Sequence, residues 1–377
     1  MKERICSKEF FKITVVYIIA NDIIRGIYAH DLKNDTWIPN AIGGVLSVLL
    51  FCIYMFFYKN NKFDTFDNSM KHVLGKGISN IIYSCYAIYF IVVVFFNLVD
   101  QFEVIALHML PKHNEYLICL ILLIPVFYML LKRIEVIARL SELLFYGIIF
   151  IFLSMIILGL TLHDYKIDNI LPFLKDGVKP IIAPSLEMGY AVPYGELFVI
   201  LIVFQHLENN ENYTKVGIYA IMTAVFILTT ITLFNVFIVG PYYMSYGISP
   251  AFRLARMIDI EEYVQRLDLL LIGFHMLLVF VKMYVLIYGA GYMLQNIFRY
   301  KEKQVNISYG VMLALLFLSF IIFADNYTSI LLFRRKIFIK YISLIMEVFL
   351  PIIIVLISFL RKTKKIYTPQ EIIEYDI

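Results

Sequence analysis

Charge is scarce in this chain of 377 residues: Asp, Glu, Lys and Arg make up 16% of it, against 61% for the apolar and aromatic set. A water-soluble domain carries about 25% charged and roughly 45–50% apolar residues. A soluble enzyme of this composition would expose large apolar patches. Cysteine is equally sparse. Cys6, Cys52, Cys85 and Cys119 stand singly, three of them inside apolar stretches, with no CxxC or Cys/His spacing. Neither a disulfide framework nor a zinc site is indicated. The sequence also lacks a Gly-rich phosphate loop, an HExxH and a GxSxG string. Those gaps argue against catalysis, and against an ATP-driven pump made by this chain alone. The net charge of +4 is too small to imply a nucleic-acid partner. No cofactor and no metal is expected.

What fills the chain is apolar runs of helical length, at about 11–29, 37–58, 78–104, 115–131, 140–162, 190–207, 216–239, 267–297, 307–324 and 338–360. A bilayer core needs about 20 such residues per helix. Ten spans are predicted, in one all-α membrane domain over 1–365 followed by a short cytoplasmic tail, 366–377. The N-terminal MKERICSKEFFK is basic but is followed by no small-residue cleavage site, so it reads as the lead into a retained first span. With both termini cytoplasmic, 19 Lys and Arg fall on the inner side and 12 on the outer, in the direction of the positive-inside bias.

The informative residues are those that do not belong in lipid. Ionisable groups within spans normally face a bundle interior or a water-filled cavity. Span one holds Asn21, Asp22, Arg25 and Gly26 in YIIANDIIRGIYA. Asp22 and Arg25, three apart, can pair on a helix. They line a cavity at an opened helix or pack as a neutralised pair between helices. Span six is preceded by Pro184, Gly189, Pro193 and Gly195 and then presents Tyr194 and Glu196. Broken backbone at membrane depth is tolerated only where protein or water covers it, so this is a binding segment or a cap at the outer surface. In span eight Asp268, His275, Lys282, Gly289 and Asn296 recur every seven residues. That step drifts only about 20° around a helix. His275 and Lys282 suit proton exchange or a fixed charge in place of a metal ion; hydrogen bonding between helices is the alternative. Span three ends with Asn97, Asp100 and Glu103 toward the outer mouth. Glu347 stands four residues before Pro351, where pairing with a neighbouring helix is the simpler reading.

Two breakable helices, first and sixth of ten, fit a five-plus-five inverted repeat holding a ligand between discontinuous helices. Local strings sharpen this. RIEVIAR (133–139) with Glu142 resembles the G-x-E-x-I-A-R motif of the spore germination permease family. DNILPFLKDGVKPI (168–181) resembles its N-x-x-P-x-x-x-x-G-x-x-P-I loop, and PYGE (193–196) its P-F-G-E element. In order and spacing the likeness covers roughly 7–365. The departures are Asn21-Asp22 where the family has a Gly-rich break and Leu-Pro, Arg133 for the motif's Gly, and Lys112-His113 after the Leu-Pro that follows span three. The resemblance implies the B subunit of a nutrient-germinant receptor, of the amino acid–polyamine–organocation (LeuT-like) architecture, in the inner membrane of a spore. It implies a small nutrient ligand, an amino acid, and lipoprotein and large membrane subunits as partners. On this reading Asn21, Asp22, Gly26, Asn97, Pro193, Tyr194, Gly195 and Glu196 hold the ligand, and Arg25, His275 and Lys282 serve ion coupling or gating. The competing expectations are a proton-coupled amino acid transporter and a structural partner whose pocket has decayed.

Overall fold

The computed structural model describes residues 5–20, 28–60, 65–109, 114–132, 134–161, 166–207, 213–246, 267–323 and 326–361. Apart from one parallel bridge between Ile5 and Leu207, the regular structure among them is helical. The elements are α1 (Ser7–Ile19), α2 (Ala29–Leu32), α3 (Trp37–Asn60), α4 (Phe66–Leu74), α5 (Lys76–His108), α6 (Glu115–Leu130) and α7 (Ile134–Thr161). Then come α8 (Lys179–Tyr190), the short α9 (Ile200–Val203) between 3-10 turns Leu197–Val199 and Phe204–His206, α10 (Tyr213–Tyr246), α11 (Leu267–Phe298) and α12 (Glu302–Phe323). The last stretch starts as α13 (Tyr327–Phe333), winds through π-helical segments Arg334–Ser343 and Ile345–Phe349, and ends as α14 (Leu350–Leu360).

Seven of the described helices are long and apolar enough to cross a membrane: α3, α5, α7, α10, α11, α12 and the continuous Tyr327–Leu360. The protein is an integral membrane protein. α6 is shorter, at 16 residues. α1 is buried almost along its whole length, from Phe10 through Ala20, and packs against α7, α10 and α11. α11 runs against α5, and α3 lies between α8 and α10. An apolar helix with no lipid face must sit inside the bundle, which makes α1 and the middle of α11 its axis.

Two of the stretches between the predicted spans are partly helical. α8 occupies the end of 163–189. Pro180 lies at its start, where a missing N–H costs nothing, and its packing on α3 carries it past Pro184. Backbone contact makes this possible: a Cβ on Gly43 would stand 2.8 Å from Met188 Cβ, and one on Gly189 would stand 2.9 Å from Leu46 Cβ. Small residues let membrane helices approach this closely. α4 forms within the polar loop 59–77. The Thr65 hydroxyl accepts the Asn68 N–H at 3.2 Å, and Phe66, Met70, Val73 and Leu74 share its buried face.

The sixth predicted span is not one helix. α8 stops at Tyr190, residues 191–196 are non-helical, and the chain resumes as turns of mixed 3-10 and α type. Gly195 makes the break compact. A Cβ there would lie 2.1 Å from the carbonyl of Tyr190, so only glycine fits against the end of α8. The next residue, Glu196, has φ 59° and ψ 20°, the left-handed region that non-glycine residues seldom occupy. At the other end of this span Ile5 N–H donates to His206 C=O at 2.7 Å, which ties the lead of α1 to it.

Candidate functional site

The break in the sixth span brings a charge to the bundle axis. Glu196, just past the non-helical turn, pairs with Lys282 of α11, Oε2 to Nζ 2.7 Å, with side-chain exposures of 3% and 0%. Tyr17 of α1 closes the third side: its hydroxyl donates to the Glu196 carbonyl at 3.0 Å, and its ring centroid lies 5.0 Å from Lys282 Nζ. A lone charge in such surroundings is expensive, and the two compensate one another. The cation over the ring face adds a weaker attraction.

A second carboxylate, Glu347, stands beside this pair and is wholly buried. Pro351 has no N–H to offer the carbonyl four residues back, which belongs to Glu347. The Tyr54 hydroxyl of α3 donates to that carbonyl and lies 3.1 Å from Oε2. Phe198 N–H also donates to Oε2, at 3.4 Å, while Oε1 is buried without a hydrogen-bond partner among the described residues. Aromatic rings wall the cluster. Phe198 stacks on Tyr86 of α5 at 4.0 Å between centroids, and Tyr86 hydroxyl donates to Met346 C=O at 2.7 Å. π-helical turns often mark functional sites, and Glu347 belongs to one.

Of the residues singled out in the sequence, the structure joins Glu196 and Lys282. Pro193 and Gly195 build the turn that carries Glu196. Tyr194 is fully buried, and its hydroxyl donates to Asn40 Oδ1 of α3 at 3.2 Å. Asn40 in turn donates to Thr232 Oγ1 of α10 at 2.8 Å. This polar chain holds the turn to α3 and α10. His275 meets Gln101 Nε2 through Nδ1 at 3.2 Å, one helical segment away on the α5–α11 contact. Asn97 donates to Val93 C=O of its own helix at 2.8 Å. Gly289 lets α11 approach the sixth span, since a Cβ there would meet Val199 at 2.4 Å. Asn21, Asp22, Arg25 and Gly26 lie outside the described residues. Among the described residues no three His, Cys, Asp or Glu side chains assemble as metal ligands. Tyr17 and Tyr54 had no distinguishing signal among 28 tyrosines; for Glu347 the nearby proline was the available clue.

A further set of charges sits at the end of the bundle where α2 begins. Arg334 Nη1 meets Asp100 Oδ2 of α5 at 2.5 Å, and the next residue, Arg335, pairs with Asp31. Tyr28 hydroxyl donates to Glu187 of α8 at 2.6 Å under the Arg335 guanidinium, and Tyr327 donates to Glu103. Two consecutive arginines thus hold the start of the π-helical segment Arg334–Ser343 to two different elements. Elsewhere Glu142, beside the RIEVIAR string, pairs with Lys12 of α1.

Comparison with solved structures places this architecture among transporters of the LeuT fold. MhsT in complex with L-phenylalanine superposes with a TM-score of 0.60 at 11% identity, covering 96% of this chain and 99% of that one. A mutant manganese transporter of Eremococcus coleocola gives a TM-score of 0.55 at 11% identity, over 94% and 76%. Sequence relatives are closer in kind. Spore germination protein KB of Bacillus subtilis (strain 168) is 23% identical over 368 residues, 97% of each chain. Spore germination protein YndE of the same organism is 23% identical over 355 residues, 93% of this chain and 95% of its own. Residues 4–328 match the family described as spore germination protein, and with that match covering most of its length the chain belongs to the spore germination protein family.

Proposed function

We propose that this chain is the membrane B subunit of a spore nutrient-germinant receptor, which binds a small nutrient, an amino acid, and passes its occupancy to partner subunits. One observation carries the reading: the break at 191–196 presents Glu196 to Lys282 at the junction of α1, the sixth span and α11. Non-helical backbone at that depth is how transporters of this architecture make ligand sites. Ten spans arranged as a five-plus-five inverted repeat, one domain over 1–365, cytoplasmic termini and the tail 366–377 complete the topology. The site then lies at mid-membrane and the Arg334–Arg335 pairs toward the outer mouth. The membrane is the spore inner membrane, and the partners are a lipoprotein and a large membrane subunit. Ligand shifts the subunit between open and occluded forms only by its differential affinity for the two.

The test is genetic. Spores lacking the chain lose germination to at least one amino acid. Spores carrying Glu196→Gln with Lys282→Met lose the same response with unchanged amounts of all receptor subunits on immunoblots. A deletion strain that germinates normally to every nutrient overturns the reading. Concentrative amino acid uptake into proteoliposomes, abolished by the same double substitution, replaces it with a proton-coupled transporter.

A further inference from the structure

We propose that Glu347 is a proton-binding site: in the packed bundle its carboxyl is neutral, and the proton on Oε2 is donated to the Tyr54 hydroxyl. No nutrient enters the argument, so the inference stands or falls apart from the receptor reading.

The count of hydrogens points there first. Tyr54 has one hydroxyl hydrogen, and its oxygen lies against two oxygens of Glu347. The main-chain carbonyl, the nearer of the two, takes that hydrogen, while Oε2 stands 3.1 Å away. An ionised carboxylate would leave this second contact as oxygen against oxygen with no hydrogen between them. A proton on Oε2 turns it into a hydrogen bond from the carboxyl to the phenol. Oε1 agrees with this assignment. It is buried and makes no hydrogen bond among the described residues. A neutral carbonyl oxygen tolerates that far better than an oxygen carrying half a negative charge.

The charge count is a second, separate observation. The titratable groups that face Glu347 are Tyr54 of α3, Tyr86 and Tyr89 of α5, Tyr17 of α1 and Glu196 of the sixth span. Phenols bring no positive charge. The cation of this cluster is Lys282 of α11, already committed to Glu196 at 2.7 Å. Two buried carboxylates therefore share one ammonium, and like charges so placed do not both stay ionised. Glu196 keeps the cation, so Glu347 takes the proton. A metal ion in its place would need several ligands, and among the described residues no three His, Cys, Asp or Glu side chains assemble. Such a site is linked to conformation. Any movement that lets water reach Glu347 favours the ionised form and releases the proton. The packed form is therefore favoured most at low pH. It loses ground to hydrated forms as pH rises, by up to about tenfold per pH unit for one proton.

The experiment uses the full chain in lipid nanodiscs at neutral pH, isotope-labelled at the glutamate carboxyl carbons. It reads the infrared carbonyl stretch that only a protonated carboxyl gives. One such band is expected in the wild type, moved by the label and by deuterium oxide. It is lost in Glu347→Gln, whose amide NH2 can stand in for the protonated oxygen against Tyr54. The double variant Glu196→Gln/Lys282→Met keeps the band, because Glu347 is then the lone carboxyl among the rings. Glu196→Gln alone frees Lys282 to compensate Glu347, and the band weakens. Between about pH 5 and 8 the thermal unfolding midpoint of the wild type falls more steeply than that of Glu347→Gln. The two Glu196 variants decide the matter by themselves if Glu347→Gln does not fold. No glutamate carbonyl band in the wild type, a band undiminished in Glu347→Gln, or one of full strength in Glu196→Gln overturns the inference. So does a midpoint that depends on sodium or potassium with no protonated carboxyl seen, which puts a metal cation where the proton was assigned.

Discussion

Of the ion pairs that cross between helices among the described residues, the one on the bundle axis and those at the α2 end differ most in what surrounds them. The Glu196–Lys282 pair on the bundle axis has 3% and 0% of its side chains exposed. The pairs at the α2 end open progressively: 10% for both Arg334 and Asp100, then 36% and 43% for Arg335 and Asp31. The chemistry is nearly the same and the distances are similar, so burial decides the energetics. Breaking a buried pair from one side costs about 3–5 kcal/mol because a charge is left without compensation, while an exposed pair is worth about 0–1 kcal/mol. The axial pair is thus a stringent element that punishes partial replacement. The end pairs are a graded contact that can be remade as helices shift.

The sharpest way to break that comparison is Lys282→Ala. We expect a loss of about 3–5 kcal/mol in unfolding free energy, read by denaturation in a stabilising detergent. Adding Glu196→Gln recovers most of it, since the stranded carboxylate is gone. A single substitution as mild as that of an exposed lysine shows the pair to be hydrated and removes the contrast. Gly195→Ala comes next. Its Cβ would lie 2.1 Å from the Tyr190 carbonyl, and backbone must move. Overpacking of this sort costs about 1–3 kcal/mol, and here the upper part of the range is expected because the obstacle is main chain. The same change displaces Glu196, so the coupling energy of Glu196 with Lys282 in a double-mutant cycle falls. A coupling energy that survives Gly195→Ala unchanged means the break does not position the pair.

The order of these effects also tells how much was legible beforehand. Long apolar helices such as α5 and α11 announce themselves because lipid demands continuous apolar length, and Lys282 stands out against that background. The PYGE string marked the turn before Glu196. The partner assignments were not legible, since they join residues tens to hundreds of positions apart. Glu347 reads as pairing with a neighbouring helix, and Tyr54 of α3 is such a partner, but nothing local says which helix or that Pro351 leaves its carbonyl for Tyr54. Tyr194 stands in that turn, and nothing local announces that its hydroxyl donates to Asn40 of α3. α8 was hidden by Pro180, Pro184 and Gly189, which are breakers in isolation and become tolerable once packed on Gly43 of α3.

At the α2 end, Arg334→Ala removes a charge-assisted hydrogen bond whose partners are each 10% exposed and is expected to cost about 1.5–3 kcal/mol. Arg335→Ala is the smallest and most discriminating change. Its side chain is 36% exposed and that of Asp31 43%, so Asp31 regains water when the partner goes and little is stranded. The expected cost is below about 1 kcal/mol and shrinks further as salt is raised, because the Debye length falls from about 10 Å at 0.1 M to about 3 Å at 1 M. The axial pair should show no such salt dependence, being out of reach of mobile ions. Measuring both losses at low and high salt therefore separates the two regions without reference to any ligand. If Arg335→Ala proves as costly as Lys282→Ala and equally insensitive to salt, the end contact is as dry as the axis and the graded arrangement does not exist.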